Sequence, residues 1–229
     1  MKRMIFLAVA TVSVLLMQSG CHNNVNPQQA DPVVQDLVID NFEDSNLTNL
    51  INPPSNQWTY DLSYGSSMQN FGITGSPDPA KGSYSFGMTA TAKATQYIGG
   101  NFIGYVQVLT NTIQAGGKGL DASIDKGYHN LKFSAMCNYT HLTYSADMVY
   151  FVRIYDSTGT MDMEYSALDL TAAWQDFSIP LNNFAMLSTG TQQDIAKDIG
   201  QIVFTLRIEG QNGARNSVHF YLDNVAFSQ

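Results

Sequence analysis

Val38-Ile39-Asp40-Asn41-Phe42-Glu43-Asp44 and, near the far end of the chain, Phe220-Tyr221-Leu222-Asp223-Asn224-Val225 decide the reading of this sequence. Each alternates apolar and polar residues, the mark of a half-buried strand, and each carries acidic groups beside a strand end. Pairing of the first strand with the last brings Glu43 and Asp223 within reach of one hard cation. Such an ion would close the domain chemically as well as topologically.

Between these segments apolar alternation recurs at short intervals, broken by Gly, Asn, Asp and Pro. It predicts strands over 37–42, 57–63, 83–89, 103–109, 131–138, 148–156, 161–166, 175–180, 201–208 and 218–227. The clearest is Ile202-Val203-Phe204-Thr205-Leu206-Arg207-Ile208-Glu209. There Ile202, Phe204, Leu206 and Ile208 face one side, and Thr205, Arg207 and Glu209 the other. Helical spacing occurs only over 191–199, where Ile195 and Ile199 lie four apart. Many strands, one short helix and no βαβ rhythm predict an all-β sandwich, with residues 37–229 as one domain.

The composition agrees: 44% of the 229 residues are hydrophobic and 13% charged, with a mean hydropathy of -0.12. These values suit a globular domain and exclude disorder, a coiled coil and a multi-span membrane protein. Residues 1–20 stand apart. Lys2 and Arg3 form a basic start, Met4 to Met17 is a short apolar run, and Ser19-Gly20-Cys21 places small residues before a cysteine. The segment resembles a lipoprotein signal peptide, which implies that Cys21 carries lipid and that residues 21–36 are a polar tether to a membrane. It departs from that pattern at Gln18, where Leu is usual, and the alternatives are an ordinary secretory signal cut nearby or an uncleaved anchor. The implied location is the cell envelope, at the outer membrane or cell surface. Without Lys2 and Arg3, 9 basic residues face 19 acidic ones, and the net charge of -10 argues against nucleic-acid partners. With Cys21 lipidated only Cys137 remains, so no intrachain disulfide forms. Cys137 shares its alternation with Leu131, Phe133 and Ala135 and reads as a small buried apolar residue.

Ile39-Asp40-Asn41-Phe42-Glu43-Asp44, then Ala173-Trp174-Gln175-Asp176-Phe177-Ser178-Ile179-Pro180-Leu181 followed by Phe184, then Phe220-Tyr221-Leu222-Asp223-Asn224-Val225 occur in this order in certain jelly rolls. The chain resembles galactose-binding-like β-sandwiches, especially family 11 carbohydrate-binding modules and the related complex I intermediate-associated 30 domain. The likeness covers roughly residues 37–229. It implies a structural Ca2+ held by Glu43 and Asp223, with the Lys81-Gly82-Ser83 turn as a carbonyl donor. The plainer alternative is that Glu43 caps a turn and Asp223 bonds a neighbouring loop. A second acidic string, Asp121-Ala122-Ser123-Ile124-Asp125-Lys126-Gly127, fails as an EF-hand, because Lys126 takes the glycine position and Lys132 the terminal glutamate position.

Sugars are recognised by rings lying flat on C–H groups and by charged or amide groups that bind hydroxyls in pairs. On Val149-Tyr150-Phe151-Val152-Arg153-Ile154-Tyr155, placing Tyr150, Val152 and Ile154 inward leaves Phe151, Arg153 and Tyr155 outward. If the strand with Arg207 and Glu209 lies in the same sheet, the two stripes form a shallow platform. Tyr165 from the neighbouring hairpin, with Trp58 and Tyr60, would extend it. The alternative is that these rings pack beneath a loop.

Enzymatic signatures are absent: there is no Gly-x-Ser-x-Gly, no His-Glu-x-x-His, and the histidines are scattered. Three readings follow. The first is a non-catalytic, lipid-anchored module for a polysaccharide or oligosaccharide of the β-glucan or cellulose type. The second is a protein-interaction or assembly domain of the intermediate-associated kind. The third is an atypical glycoside hydrolase with Glu164 or Glu209 paired to an aspartate.

Overall fold

The computed structural model describes residues 34–229, and the signal segment, Cys21 and most of the tether lie outside them. The strands are β1 (Leu37–Asp40), β2 (Trp58–Leu62), β3 (Ser67–Gly75), β4 (Tyr84–Lys93), β5 (Gln96–Ile98), β6 (Asn101–Asn111), β7 (Asn130–His141), β8 (Ala146–Asp156), β9 (Asp162–Leu168), β10 (Gln175–Pro180), β11 (Ala185–Met186), β12 (Ile199–Gly210) and β13 (Arg215–Ser228). They form two antiparallel sheets. The first runs β10-β7-β13-β4-β3 with β1 beside β13, and the second runs β11-β9-β8-β12-β6-β2 with β5 beside β6. The all-β sandwich is therefore the observed fold.

The two inner faces supply the core. Phe204 of β12 lies 6.3 Å from Trp58 and 5.0 Å from Phe133, so one ring bridges the sheets. Phe133 stacks at 4.9 Å on Phe177 of β10, and β10 ends at Pro180, whose missing N–H cannot extend the ladder. Phe184 is buried at the rim below it. Cys137 is buried in the same core, and burial pushes its thiol up to about 12, which leaves it inert.

β1 and β13 pair as the opening segments predict, Leu37 opposite Phe227 and Val38 opposite Ala226. A bulge between Asp223 and Ala226 interrupts β13, with Asn224 at φ 53°, a left-handed position that Asn tolerates. Three strands depart from the sequence reading. β3 is a sheet edge rich in Ser, Gln, Asn and Gly, while β5 and β11 are too short to show alternation. The expected helix is α1 (Gln192–Ala196), a single turn closed by a Thr191 and Asp194 capping box, and Ile199 opens β12 instead. Just before β1, Asp36 lies 3.3 Å from Lys132 Nζ of β7 in an exposed ion pair.

Candidate functional site

β8 and β12 lie side by side in the second sheet, and their register decides which side chains share its outer face. Phe151 stands opposite Thr205, Arg153 opposite Val203, and Val149 opposite Arg207. Residues directly opposite in an antiparallel pair point the same way. On one flank Arg153 faces Glu164 and Tyr155 faces Asp162 of β9. On the other, Arg207 faces Tyr105 and Thr205 faces Gln107 of β6, with Asp61 of β2 beyond Gln107. Tyr150, Val152 and Ile154 fill the core behind them.

The two arginines are held rather than free. Arg153 donates from Nη2 to Glu164 Oε2 at 2.6 Å, from Nε to the same oxygen at 3.2 Å, and from Nη1 to the Tyr155 hydroxyl at 3.1 Å. Burial works against its charge, but the bonds to Glu164 and Tyr155 outweigh that and hold the guanidinium above its ordinary pKa. Arg207 Nη2 pairs with Glu209 Oε1 at 2.6 Å, while its Nε is buried without an acceptor. Burial, and then the nearby Asp61, raise the pKa of the Tyr105 phenol. At one end of the face a cavity of about 390 Å³ opens where Tyr155, Gln201, Asn111 and Thr158 meet. Forked donors, phenols, amides and carboxylates on one sheet suit the paired hydroxyls of a sugar.

The structure brings Arg153, Tyr155, Arg207 and Glu209 together on this face and corrects the rest of the expected set. Phe151 points outward but is only 6% exposed. The guanidinium carbons of Arg207 and Arg153 lie 5.2 and 5.7 Å from its ring centre, so no ring face remains for a ligand. Tyr165 stands opposite Val152 and therefore points to the core side, 5.8 Å from Phe184. Simple alternation along β9 places it with Met163, on the face opposite to Glu164 and Asp162. Trp58 and Tyr60 stand opposite Thr110 and Val108, on the inner side as well. Tyr105, Gln107, Asp61 and Asp162 belong to the face but were not singled out in the sequence reading. Alternation over 103–109 carries the signal for Tyr105 and Gln107, since Val106 and Val108, which alternate with them, are buried. Glu164 and Glu209 are each ion-paired to an arginine rather than facing an aspartate across a cleft.

The acidic corner lies at the other sheet. Glu43 accepts from the backbone N–H of Ser83 at 2.9 Å and of Tyr84 at 3.1 Å, the turn-capping role of the plainer alternative. Gly82, at φ 117°, leaves the room: a Cβ there would lie 2.1 Å from Glu43 Oε1. Asp223 is fully buried. Its Oδ1 accepts the Asn224 N–H at 2.7 Å, but Oδ2 has no partner. Burial pushes its carboxyl up to about 7, with Glu43 and Asp40 adding to the rise. Asp40, also fully buried, accepts from Phe42 N–H and from Trp58 Nε1, each at 2.8 Å. Among the described residues no group of three or more His, Cys, Asp or Glu could hold a metal. The orphaned Asp223 oxygen is of the hard, anionic kind that a cation such as Ca2+ takes as a ligand, while Glu43 is engaged by the backbone N–H groups of Ser83 and Tyr84.

No family model and no curated protein sequence matches this chain. Solved structures do. A family 11 carbohydrate-binding module from Clostridium thermocellum, in complex with a β-1,3-1,4-mixed-linked tetrasaccharide, is 16% identical with a TM-score of 0.51, covering 85% of this chain and 96% of that one. The family 30 carbohydrate-binding module of a cellulosomal cellulase of the same organism is 13% identical with a TM-score of 0.51, covering 85% and 98%. A further family 30 module is 12% identical with a TM-score of 0.52, covering 85% and 88%. Two stacked antiparallel sheets, with the first strand laid on the last, thus give this chain the jelly-roll fold of these carbohydrate-binding modules.

Proposed function

We propose that the domain is a non-catalytic module that binds a neutral polysaccharide, of the β-glucan or cellulose type, on the outer face of its second sheet. The observation that carries this reading is the pair of fixed guanidiniums set among Tyr155, Tyr105 and Gln107 on one face. Asp61, Asp147, Asp162, Glu164 and Glu209 outnumber Arg153 and Arg207 there, which disfavours an anionic glycan. The mixed-linked tetrasaccharide bound by the family 11 module supports the choice of probe. In this reading Cys21 tethers the module to the cell envelope, and a Ca2+ beside Glu43 and Asp223 stiffens the corner where the terminal strands meet. When bound, such an ion supplies charge neutralisation and cross-linking, not chemistry. Affinity electrophoresis in a soluble mixed-linked β-glucan tests the proposal: the wild type is retarded, and absence of retardation across soluble glucans overturns it.

One observation favours the assembly reading. At one end of the sandwich the loops carrying Tyr64, Tyr97, Ile98, Leu142 and Tyr144 leave large apolar side chains exposed, Tyr64 to 88%. Backbone and side-chain bonds tie these loops together, Thr95 Oγ1 to Tyr64 O and Gly213 N to Ala94 O among them. Exposed apolar surface of this kind marks contact with a partner. A protein captured through this end, together with no glucan retardation, would put the assembly reading first.

A further inference from the structure

Phe151 has the position of a ligand-stacking ring and the burial of a core residue, and its neighbours explain why. Across the ladder it faces Thr205, while Val203 and Val149 stand opposite Arg153 and Arg207. Arg153 is two residues further along its own strand, and Arg207 is diagonal to it on β12. Short β-branched neighbours leave open ground on each side of the ring, into which the long arginine stems fold. Both guanidinium carbons come to lie within 6 Å of the ring centre, at 5.7 and 5.2 Å, the distance at which an aromatic face attracts a cation.

Each guanidinium is also held from outside, Arg153 by Glu164 and the Tyr155 hydroxyl, Arg207 by Glu209. The carboxylates hold each guanidinium from one side, and the Phe151 ring lies against both. An arginine left free on a sheet surface loses much rotamer freedom when it grips a ligand, and affinity falls accordingly. Here the contacts that restrict such freedom are made without any ligand.

We propose that Phe151 is a positioning residue that never touches the ligand: its ring holds Arg153 and Arg207 as a preformed pair of donors for ligand hydroxyls. The proposal rests on the glycan-binding reading for its consequence, but the ordering of the two side chains exists without ligand and is tested alone. Phe151→Leu keeps the site apolar and removes the aromatic face, and Phe151→Tyr restores that face.

The first measurement is 15N relaxation of the arginine Nε–H groups in the free protein. Arg153 and Arg207 give order close to that of the strand backbone in the wild type and in Phe151→Tyr, and Phe151→Leu releases them towards the mobility of the exposed Arg215. Wild-type signals as mobile as that of Arg215, or unchanged order in Phe151→Leu, overturn the proposal. The second measurement is affinity for soluble mixed-linked β-glucan, with the melting temperature of each variant recorded. Phe151→Leu weakens binding about ten-fold, as expected for loss of a preorganised contact, and Phe151→Tyr recovers most of it. If Arg153→Ala abolishes binding while Phe151→Leu leaves it intact, the platform stands and the positioning role falls. If Arg153→Ala and Arg207→Ala both leave binding unchanged, the glycan platform itself is wrong, and the relaxation data still decide the role of the ring.

Discussion

Asp40 offers a test of the core that needs no ligand. Its carboxyl is fully buried between the Phe42 N–H and the Trp58 indole, and burial outweighs both hydrogen bonds, pushing its pKa from 3.8 up to about 6. The native state thus holds the proton more tightly than the unfolded chain. The resulting stability is fully present below about pH 4 and is lost as pH rises through about 6. A rise of roughly two units, at about 1.4 kcal/mol each, amounts to about 3 kcal/mol. For a domain of this size that is a fall in Tm of about 6–12 °C. Asp40→Asn cannot ionise and removes this component. It leaves one of the two donors without an acceptor at every pH, a constant loss of about 1–2 kcal/mol. Melting is followed in chelator from pH 4 to 6.5, by circular dichroism and by Trp58 emission in a Trp174→Phe background, since the chain has only two tryptophans. Asp223, raised to about 7, contributes a fall of the same sign in both proteins, so the quantity read is their difference. Parallel curves for the wild type and Asp40→Asn refute the argument that burial dominates this carboxyl.

On the binding face, Arg153→Ala and Tyr155→Ala should each cost about 1–3 kcal/mol of glucan affinity by electrophoresis. Their melting points should change little, because partly exposed ion pairs contribute about 0–1 kcal/mol. Unfolding of either variant would show that these side chains hold the sheet. Calcium at ten times its dissociation constant should stabilise the domain by about 1.4 kcal/mol. Asp223→Ala should erase that response, and identical wild-type melting with and without chelator removes the metal from the account. Cys21→Ala should abolish labelling by a palmitate analogue and release the protein from the membrane fraction; persistent label contradicts lipidation.

Alternation carried most of the fold, because each inner strand buries one face. β12 and β10 show it plainly, with Phe204, Phe177 and Ile179 all turned inward. β3 escaped because an edge strand packs with few large side chains, and its bulge between Met68 and Asn70 shifts the period midway. Arg153, Tyr155, Arg207 and Glu209 could be placed on one face from the same periodicity. The covering of Phe151 could not, since it depends on how the stems of two arginines on neighbouring strands bend over one ring. The inward turn of Tyr165 was legible, since alternation along β9 puts it on the face of Met163 and opposite to Glu164 and Asp162. Asp223 carried an acidic signal in sequence, but its complete burial follows from the β13 bulge and the chain around Glu43.

β13 is also the strand on which assembly waits. It has 14 residues and pairs with β1, β4 and β7. None of the three has a neighbour on that side until residues 215–228 arrive, and β1 pairs with no other strand. Pairings so distant along the chain close large loops and form slowly. During synthesis the edges of β4 and β7 that β13 covers therefore stay open, with unpaired N–H and C=O groups, until β13 closes them.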